Sequence, residues 1–361
     1  HMARPRAIAI HIPVHSWSKD EIVSNAISFG DKVFSCLKSV GLEVWTKRFI
    51  LPVLPENSLG CRDIEHIVNE ISGSMGDRIL VAFPLSPSSQ CLKELHSLSN
   101  VDSAYFSTSC GDGDCIKKVV EHVYSGHRNV ELDLFTRFAI SFGMWIETPY
   151  FPATANISNV LGFSAALRYV DVVSQALLYS RTQLLRDFLE NVGKRLEESA
   201  RCSNVAFLGI DYSLSPWVEE GESIASLIES LSNSRMGFPG ILSTIYALNT
   251  FLRGLIKKVG IRHMGFNEVM LPVAEDLVLN NRVRESFVTV RDLIAYSFAC
   301  VTGLDMVALP RDADIYRIAL DMLTVYRVKN RVVAMRAIPT DFDVSSEVKL
   351  KNFGVTYVAR L

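Results

Sequence analysis

The stretch TGLDMVALPRDAD, residues 302–314, is the part of the chain that decides the fold. Its apolar run at residues 306–309 predicts a buried β-strand, which ends at Pro310 and is followed by the start of a helix. Asp305 lies inside this otherwise apolar strand. A buried carboxylate without a partner destabilises a fold by an amount on the order of several kcal/mol. We therefore expect a cation, a basic side chain, a shared proton or solvent at the strand end to neutralise Asp305.

The same alternation of apolar runs and helical stretches continues through almost the whole chain. The predicted strands cover residues 7–13, 44–51, 78–83, 102–107, 135–142, 205–211, 264–273, 302–310, 332–338 and 356–361. Helical patterns separate most of them, the longest at residues 162–200. Strands that alternate with helices are typical of a parallel-rich α/β architecture. An eight-stranded barrel is the usual form of this pattern, and about ten strands favour a larger or open α/β barrel.

The length and composition suit one large domain. The chain has 361 residues, of which 48% are hydrophobic, and these can form a large core. We predict a single α/β barrel domain at residues 1–340 and a C-terminal extension at residues 341–361 that ends in a strand. His1 is interpreted as the remnant of an expression tag before the initiator Met2.

The charge, hydropathy and cysteine content restrict the partners. The net charge is −2 and no basic block is present, which argues against nucleic acid. No apolar run is long and clean enough to cross a bilayer. Seven cysteines, dispersed except for Cys110 and Cys115, favour reduced and mostly buried thiols over a disulfide framework. We expect a cytoplasmic protein that forms a homo-oligomer, such as a homodimer.

Acidic residues follow three of the predicted strands. They occur in GIDYSLSPWVEEGES (residues 209–223), in LPVAEDLVL (residues 271–279) and in the stretch around Asp305. If the strand ends meet at one rim of a barrel, Asp211, Glu275, Asp276 and Asp305 form a candidate site for a divalent cation such as Mg²⁺ or Ca²⁺. Asp305 and Asp211 are then the candidate acid and base. The alternative is that each carboxylate caps the helix that follows it.

Other motifs add little chemistry. CGDGDC at residues 110–115 matches no zinc spacing, and a turn with Asp112 or Asp114 capping the next helix explains it more simply. The sequence has no Walker loop, no GxGxxG after a strand, no GxSxG elbow and no HExxH. Enzymes built on nucleotide-binding loops or catalytic triads are therefore poor candidates.

Several segments together resemble one family. FACVTGLDMVALPRD, at residues 298–312, is similar to the block Cys-Ser-Val-Gly-Leu-Asp-Met-Ile-Ala-Ile-Pro of an uncharacterised prokaryotic family, domain of unknown function 711. LPVAED resembles its Ile-Pro-Val-Ser-Glu-Asp, and FLGIDYSLSP, with Ser213, resembles its Asp-Leu-Ser-Leu-Ala-Pro. ATANIS, with Asn156, and TKRF, with Lys47 and Arg48, resemble its Ser-Val-Asn-Ile-Gly and Asn-Lys-Arg. The resemblance implies a ten-stranded α/β barrel similar to that of glycyl radical enzymes, but no radical-bearing loop is identifiable here.

One departure from the family bears on function. GFPGIL, at residues 237–242, stands where the family has Gly-Thr-His-Gly-Thr-Thr, so a histidine and two hydroxyls are lost. Two hypotheses follow. In the first, one rim of the barrel holds a small-molecule or divalent-cation site for metal-assisted or acid–base chemistry, where Lys47, Arg48, Asn156 and Ser213 bind the ligand. In the second, the protein is a non-catalytic scaffold or interaction protein in which Asp305 pairs with an arginine.

Overall fold

A computed structural model describes residues 4–125, 131–300 and 303–361 of the chain. The interpretation of His1 and Met2, and the position of Thr302 at the start of the quoted stretch, lie outside the described residues.

Strands and helices alternate through the described residues. The strands are β1 (Pro5–His11), β2 (Thr46–Ile50), β3 (Ile79–Pro84), β4 (Ala104–Cys110), β5 (Phe138–Phe142), β6 (Gly162–Leu167), β7 (Phe207–Asp211), β8 (Leu304–Leu309), β9 (Val333–Pro339), β10 (Glu347–Leu350) and β11 (Gly354–Tyr357). The α-helices are α1 (Lys19–Ser39), α2 (Cys61–Met75), α3 (Gln90–Lys93), α4 (Gly113–Val119), α5 (Leu132–Thr136), α6 (Val170–Leu178), α7 (Thr182–Ser203), α8 (Ile224–Ser232), α9 (Ile241–Val259), α10 (Leu277–Arg284), α11 (Val290–Tyr296) and α12 (Ile315–Lys329). Within the described residues, no helix is long and apolar enough to cross a membrane.

Nine strands form one sheet, in the order β7-β6-β1-β2-β3-β4-β5-β9-β8. Neighbours among β1 to β5 pair in parallel. The pairs β6–β7 and β8–β9 are also parallel, but β6 is antiparallel to β1 and β9 is antiparallel to β5. The sheet therefore consists of two parallel sets of strands that run in opposite directions.

One irregular segment joins the two edges of this sheet. Parallel bridges connect Ile210 with His263, Leu214 with Val269 and Pro272 with Asp305. The segment thus pairs with the β7 side of the sheet and with β8, an arrangement that is compatible with the predicted ten-stranded barrel. The α/β class is confirmed.

The two faces of the sheet differ in side-chain size. Large apolar residues on the outer faces of the strands pack against the helices in the main core. A smaller cluster inside the barrel combines Ala7 and Ala166 with Tyr150, Phe266 and Met270. Because alanines line much of the inner face, they leave space for a cavity.

The largest error in the secondary-structure prediction concerns β6. Residues 162–200 were predicted to be helical throughout, whereas Gly162–Leu167 is a strand that precedes α6 and α7. All six residues of this strand are buried, so its sequence, GFSAAL, lacks the alternation that marks a half-exposed strand. A short buried run of this kind cannot be distinguished from a helix by its periodicity.

The prediction of reduced cysteines is wrong. Six of the seven cysteines form disulfides, in the pairs Cys36–Cys202, Cys61–Cys91 and Cys110–Cys115. Cys300 is free and buried. The pairs are separated by 166, 30 and 5 residues along the chain, so their spacing gives no common signal.

The C-terminal extension folds as a hairpin rather than as one final strand. β10 and β11 pair with each other in antiparallel register. The chain after the hairpin contacts β8, where the amide of Ala359 donates to the carbonyl of Ala308 at 2.9 Å. The base of the hairpin is therefore fixed to the barrel.

Candidate functional site

A cavity of about 420 Å³ lies inside the barrel. Its walls combine aromatic rings with charged groups. The charged residues are the four arginines Arg6, Arg48, Arg78 and Arg336 and the three carboxylates Asp102, Glu275 and Asp305. The aromatic residues include Trp45, Tyr105, Tyr150, Phe151, Trp217 and Phe353.

Asp305 belongs to a buried network of ion pairs. Arg336 donates to the two carboxylate oxygens of Asp305 at 2.7 and 3.1 Å, and to Glu275 at 2.9 Å. Arg6 donates to the other oxygen of Glu275 at 2.8 Å. All four side chains are less than a tenth exposed. Of the four partners predicted for Asp305, the structure provides a basic side chain, that of Arg336.

The backbone of β8 turns Asp305 toward this network. The pairing of β8 with β9 shifts register between Asp305 and Val307, and Met306 has a φ of 53°. A positive φ is unfavourable for a residue with a side chain, and a bulge of this type changes the direction in which neighbouring side chains point. Burial raises the pKa of Asp305, and the charge of Arg336 opposes that increase.

Arg48 differs from the other buried arginines of the cavity. It is only 8% exposed, and its guanidinium donates to Thr46 Oγ1 at 3.0 Å and to the carbonyl of Pro149 at 2.9 Å. The guanidinium lies 5.0 Å from the ring centroid of Phe151. Among the described residues, no carboxylate forms an ion pair with Arg48. Burial, and then the charge of Arg6, lower its pKa to about 10.

Arg6 packs against a pair of indole rings. Its guanidinium carbon lies 5.4 Å from the ring centroid of Trp45 and 5.3 Å from that of Trp217. The two rings meet edge to face, with centroids 4.7 Å apart. These contacts and the ion pair with Glu275 fix the position of Arg6 in the cavity wall.

Two tyrosines supply neutral polar groups. The hydroxyl of Tyr150 donates to the carbonyl of Ser213 at 3.2 Å. Burial raises the pKa of Tyr105, so its phenol stays protonated at neutral pH. The cavity therefore offers a hydroxyl as well as a guanidinium beside apolar walls.

Asp211 does not face the cavity network. Its two oxygens accept five hydrogen bonds, from the side chains of Thr148 and Ser213 and from the amides of Ser213, Phe266 and Asn267. Gly265 lies so close that a Cβ at this position would come within 2.1 Å of Asp211 Oδ2. Asp211 therefore stabilises the turn at residues 265–267.

Asp276 caps two helices. It accepts hydrogen bonds from the hydroxyl of Ser223 and the amide of Ala225 near the start of α8, and from the amides of Val278 and Leu279 at the start of α10. The structure thus brings Glu275 and Asp305 together and places Asp211 and Asp276 in separate networks. In the part of the chain that is described, no group of three or more His, Cys, Asp or Glu residues could hold a metal ion.

The other predicted ligand-binding residues lie in different places. Lys47, the neighbour of Arg48, points to the outer face, where its ammonium lies 5.3 Å from the ring centroid of Phe34. The side-chain amide of Asn156 donates to the carbonyls of Ile12 and Val160. Ser213 bonds Asp211 and accepts from the amide of Glu268. Of the four predicted residues, only Arg48 lines the cavity.

Sequence reasoning missed Arg6, Arg336 and the two tryptophans. Arg6 lies in PRAIAIH and Arg336 in VAMRAIP, so each is a single charge within an apolar strand. That is the signal that identified Asp305, and applying it to basic residues would have found both arginines. Asp112 does cap α4 as predicted, since it accepts from the amide of Cys115.

The family is established by comparison with known sequences. A family model described as "Uncharacterised ACR (DUF711)" matches residues 112–346. The chain belongs to this family. A UPF0210 protein of Methanopyrus kandleri is 33% identical to this DUF711 chain over 157 residues, which cover 42% of this chain and 33% of that protein. A UPF0210 protein of Pyrobaculum aerophilum is 24% identical over 225 residues, which cover 56% and 49% of the two chains. The DUF711 chain thus spans between about a third and a half of these relatives.

Solved structures of ribonucleotide reductases resemble the DUF711 chain distantly. The anaerobic enzyme of Thermotoga maritima with citrate in its active site has a TM-score of 0.44 and 9% identity, over 92% of this chain and 79% of that chain. The class Id alpha subunit of Actinobacillus ureae has a TM-score of 0.45 and 9% identity, over 94% and 85%. Similarity at this level carries no argument about activity.

Proposed function

We propose that the protein binds a small organic anion inside the barrel, with the anionic group on Arg48 and the apolar part against the aromatic walls. The observation that carries this proposal is that Arg48 is a buried cation in the cavity wall without a carboxylate partner among the described residues. An unpaired charge is costly to bury, and a guanidinium suits a bidentate contact with a carboxylate. A bound anion would supply the missing counter-charge.

The charges of the wall support a ligand with one negative charge. Arg6 and Arg336 are already paired with Glu275 and Asp305. Of the other two charges in the wall, Arg78 and Asp102 have opposite signs, and Asp102 also forms an ion pair with Lys351, which lies outside the wall. The four arginines therefore exceed the three carboxylates by one. Because Arg48 is the buried arginine of the wall without an acidic partner among the described residues, we infer that the ligand presents one carboxylate to it.

The size and composition of the cavity support an apolar body on this ligand. A volume of about 420 Å³ falls in the usual range for small-molecule pockets. Phe151, Trp45 and Trp217 present aromatic surface near Arg48 and Arg6. Aromatic monocarboxylates are thus the class of ligand that we expect to bind.

Acid–base chemistry on the bound anion is a second candidate. It is favoured by Asp305, a cavity-lining carboxyl whose pKa is raised by burial, a common property of catalytic acids. Arg336 occupies both of its oxygens, so proton transfer would require this pair to loosen. Asp211 is less suited to such a role, because five donors already surround its carboxylate.

The assembly of the protein into a homo-oligomer, expected from the sequence, stays a prediction.

Binding of benzoate and of its neutral analogue benzamide tests the proposal. We expect benzoate to bind more tightly than benzamide, and Arg48→Gln to weaken benzoate binding by roughly 10- to 100-fold, the effect of losing hydrogen bonds to a charged group. Isothermal titration calorimetry measures both affinities. Lys47→Gln is the matched control, because it removes the same charge from the next residue of β2 on the outer face.

Three results would contradict the proposal. They are no measurable binding of benzoate, equal binding of benzoate and benzamide, and equal losses in Arg48→Gln and Lys47→Gln. Circular dichroism and urea unfolding of each variant establish that a loss of binding does not come from loss of the fold.

A further inference from the structure

We infer that the tip of the C-terminal hairpin, residues 351–353, is a gate over the cavity, and that Lys351 is its latch. The inference concerns the regulation of the same cavity and therefore rests on the proposed function. It comes from a separate observation, namely how the hairpin is attached to the barrel.

The tip lies at the mouth of the cavity. Asn352 and Phe353 belong to the cavity wall, as do Asp102 and Ser103, which precede β4. The ring of Phe353 meets that of Trp217 edge to face, with centroids 6.0 Å apart. Through Trp217, this aromatic contact adjoins the ring system that holds Arg6.

Both strands of the hairpin are firmly anchored. Val348, Leu350 and Thr356 are almost completely buried. The side-chain amide of Asn280 donates to the carbonyl of Val355 at 2.8 Å, and the hydroxyl of Thr356 donates to Asn280 Oδ1 at 2.9 Å. The strands can therefore act as the fixed support of a moving tip.

Besides the contact of Phe353 with Trp217, the tip is held by exposed polar contacts. The amide of Lys351 donates to Asp133 Oδ1 at 2.7 Å, and its ammonium forms an ion pair with Asp102. The side chains of Lys351 and Asp102 are 59% and 38% exposed. Exposed ion pairs of this kind contribute little stability and weaken with salt.

The backbone pairing of the hairpin does not extend to another described strand. β10 and β11 have four residues each and, among the described strands, pair only with each other. A two-stranded hairpin has little stability of its own. Because the strands are anchored and the polar contacts of the tip are weak, we expect the mouth to widen at residues 351–353.

Gating makes a kinetic prediction. When the latch opens more often, a ligand both enters and leaves faster, while its affinity changes less than either rate. The fluorescent aromatic sulfonate 1-anilinonaphthalene-8-sulfonate is the probe, since it carries one negative charge on an apolar body. Stopped-flow fluorescence measures its association and dissociation rates.

Lys351→Met removes the latch and keeps the length of the side chain. We expect it to raise both rates between about 1.4-fold and 5-fold, the range that corresponds to one exposed ion pair. Lys349→Met is the control, because Lys349 is an exposed lysine of the same hairpin that does not line the cavity. We also expect high salt to raise both rates in the wild-type protein but much less in Lys351→Met.

A measurement without ligand separates the gate from the proposed function. Acrylamide quenching of Trp217 reports how often the tip is open, and subtracting the signal of the matching Trp217→Phe protein isolates this residue. We expect stronger quenching in Lys351→Met than in the wild type or in Lys349→Met.

The possible outcomes are distinct. Unchanged rates and unchanged quenching in Lys351→Met overturn the gate, and so do equal effects in both lysine variants. Failure of the probe to bind the wild-type protein overturns the proposed function, while the quenching comparison still decides whether the tip opens.

Discussion

Replacing Arg336 by methionine should destabilise the protein severely, because it removes the partner of a buried carboxylate. Arg336 donates twice to Asp305, once to Glu275 and once to the carbonyl of Thr136. After the replacement, Glu275 keeps Arg6, but Asp305 loses the partner that opposes its desolvation. Breaking one side of a buried ion pair costs about 3–5 kcal/mol of unfolding free energy. We expect a loss of that size at pH 7.

The loss should depend on pH in a defined direction. Burial already raises the pKa of Asp305, and removing Arg336 should raise it further. A carboxyl whose pKa is higher in the folded state binds protons more strongly there, so the folded state is favoured as the pH falls. Arg336→Met should therefore recover stability relative to the wild type below pH 7, by up to about 1.4 kcal/mol per pH unit.

Urea unfolding followed by circular dichroism at pH 5 and pH 7 measures both effects. Adding Asp305→Asn to Arg336→Met should restore at least about 1 kcal/mol of unfolding free energy at pH 7, since it removes the unpaired buried charge. Arg331→Met is a suitable control, because Arg331 is 44% exposed and its partner Glu268 keeps Lys329. A loss below about 1 kcal/mol, or one that does not change with pH, would refute the assignment of Asp305 as a buried, arginine-dependent charge.

Two further predictions concern stability. Burial lowers the pKa of His11 from 6.5 to about 4, with Glu147 opposing, so the unfolded chain binds the proton first as the pH falls. The wild type should lose roughly 1.6 kcal/mol between pH 6.5 and pH 5 relative to His11→Asn, and parallel pH profiles in urea unfolding would contradict this. The disulfide Cys36–Cys202 closes a loop with a sequence separation of 166 residues. By the chain-entropy relation, removing this disulfide in the double variant Cys36→Ser, Cys202→Ser should lower the free energy of unfolding by roughly 5 kcal/mol. Equal melting temperatures of the variant and the wild type would contradict this prediction.

Much of the fold could be predicted from the sequence because the outer faces of the strands and the inner faces of the helices are apolar. The segment at residues 264–273 was predicted to be a strand, but residues 263–272 make only isolated bridges. Gly265 and Asn267 have positive φ values there, and the amides of Phe266 and Asn267 bond Asp211 instead of a neighbouring strand. The periodicity of apolar side chains does not reveal such local competition for backbone hydrogen bonds.

The site could be predicted only in part, because a sequence shows charges but not their distances. Asp305 was identified from its position in an apolar strand, and its pairing with an arginine was one of the stated alternatives. Lys47 and Arg48 were proposed together, yet adjacent residues of a strand point to opposite faces. That alternation was available from the sequence and would have assigned one of them to the outside. Which of the two faces the interior depended on the register of β2.

The excess of positive charge in the cavity wall favours an anion at Arg48 over a metal ion at Glu275 and Asp305. Both carboxylates are hydrogen-bonded to Arg336, so a divalent cation between them would lie a few ångströms from a guanidinium. At ~4 Å and an effective dielectric constant of about 20, the repulsion between charges of +2 and +1 is roughly 8 kcal/mol. An anion at the same distance from Arg48 gains about 4 kcal/mol before desolvation is counted. A metal would require Arg336 to leave both of its partners, whereas an anion at Arg48 leaves every ion pair in place. We therefore expect the positive charge of Arg48, rather than the number of carboxylates in the sequence, to determine which class of ligand the cavity binds.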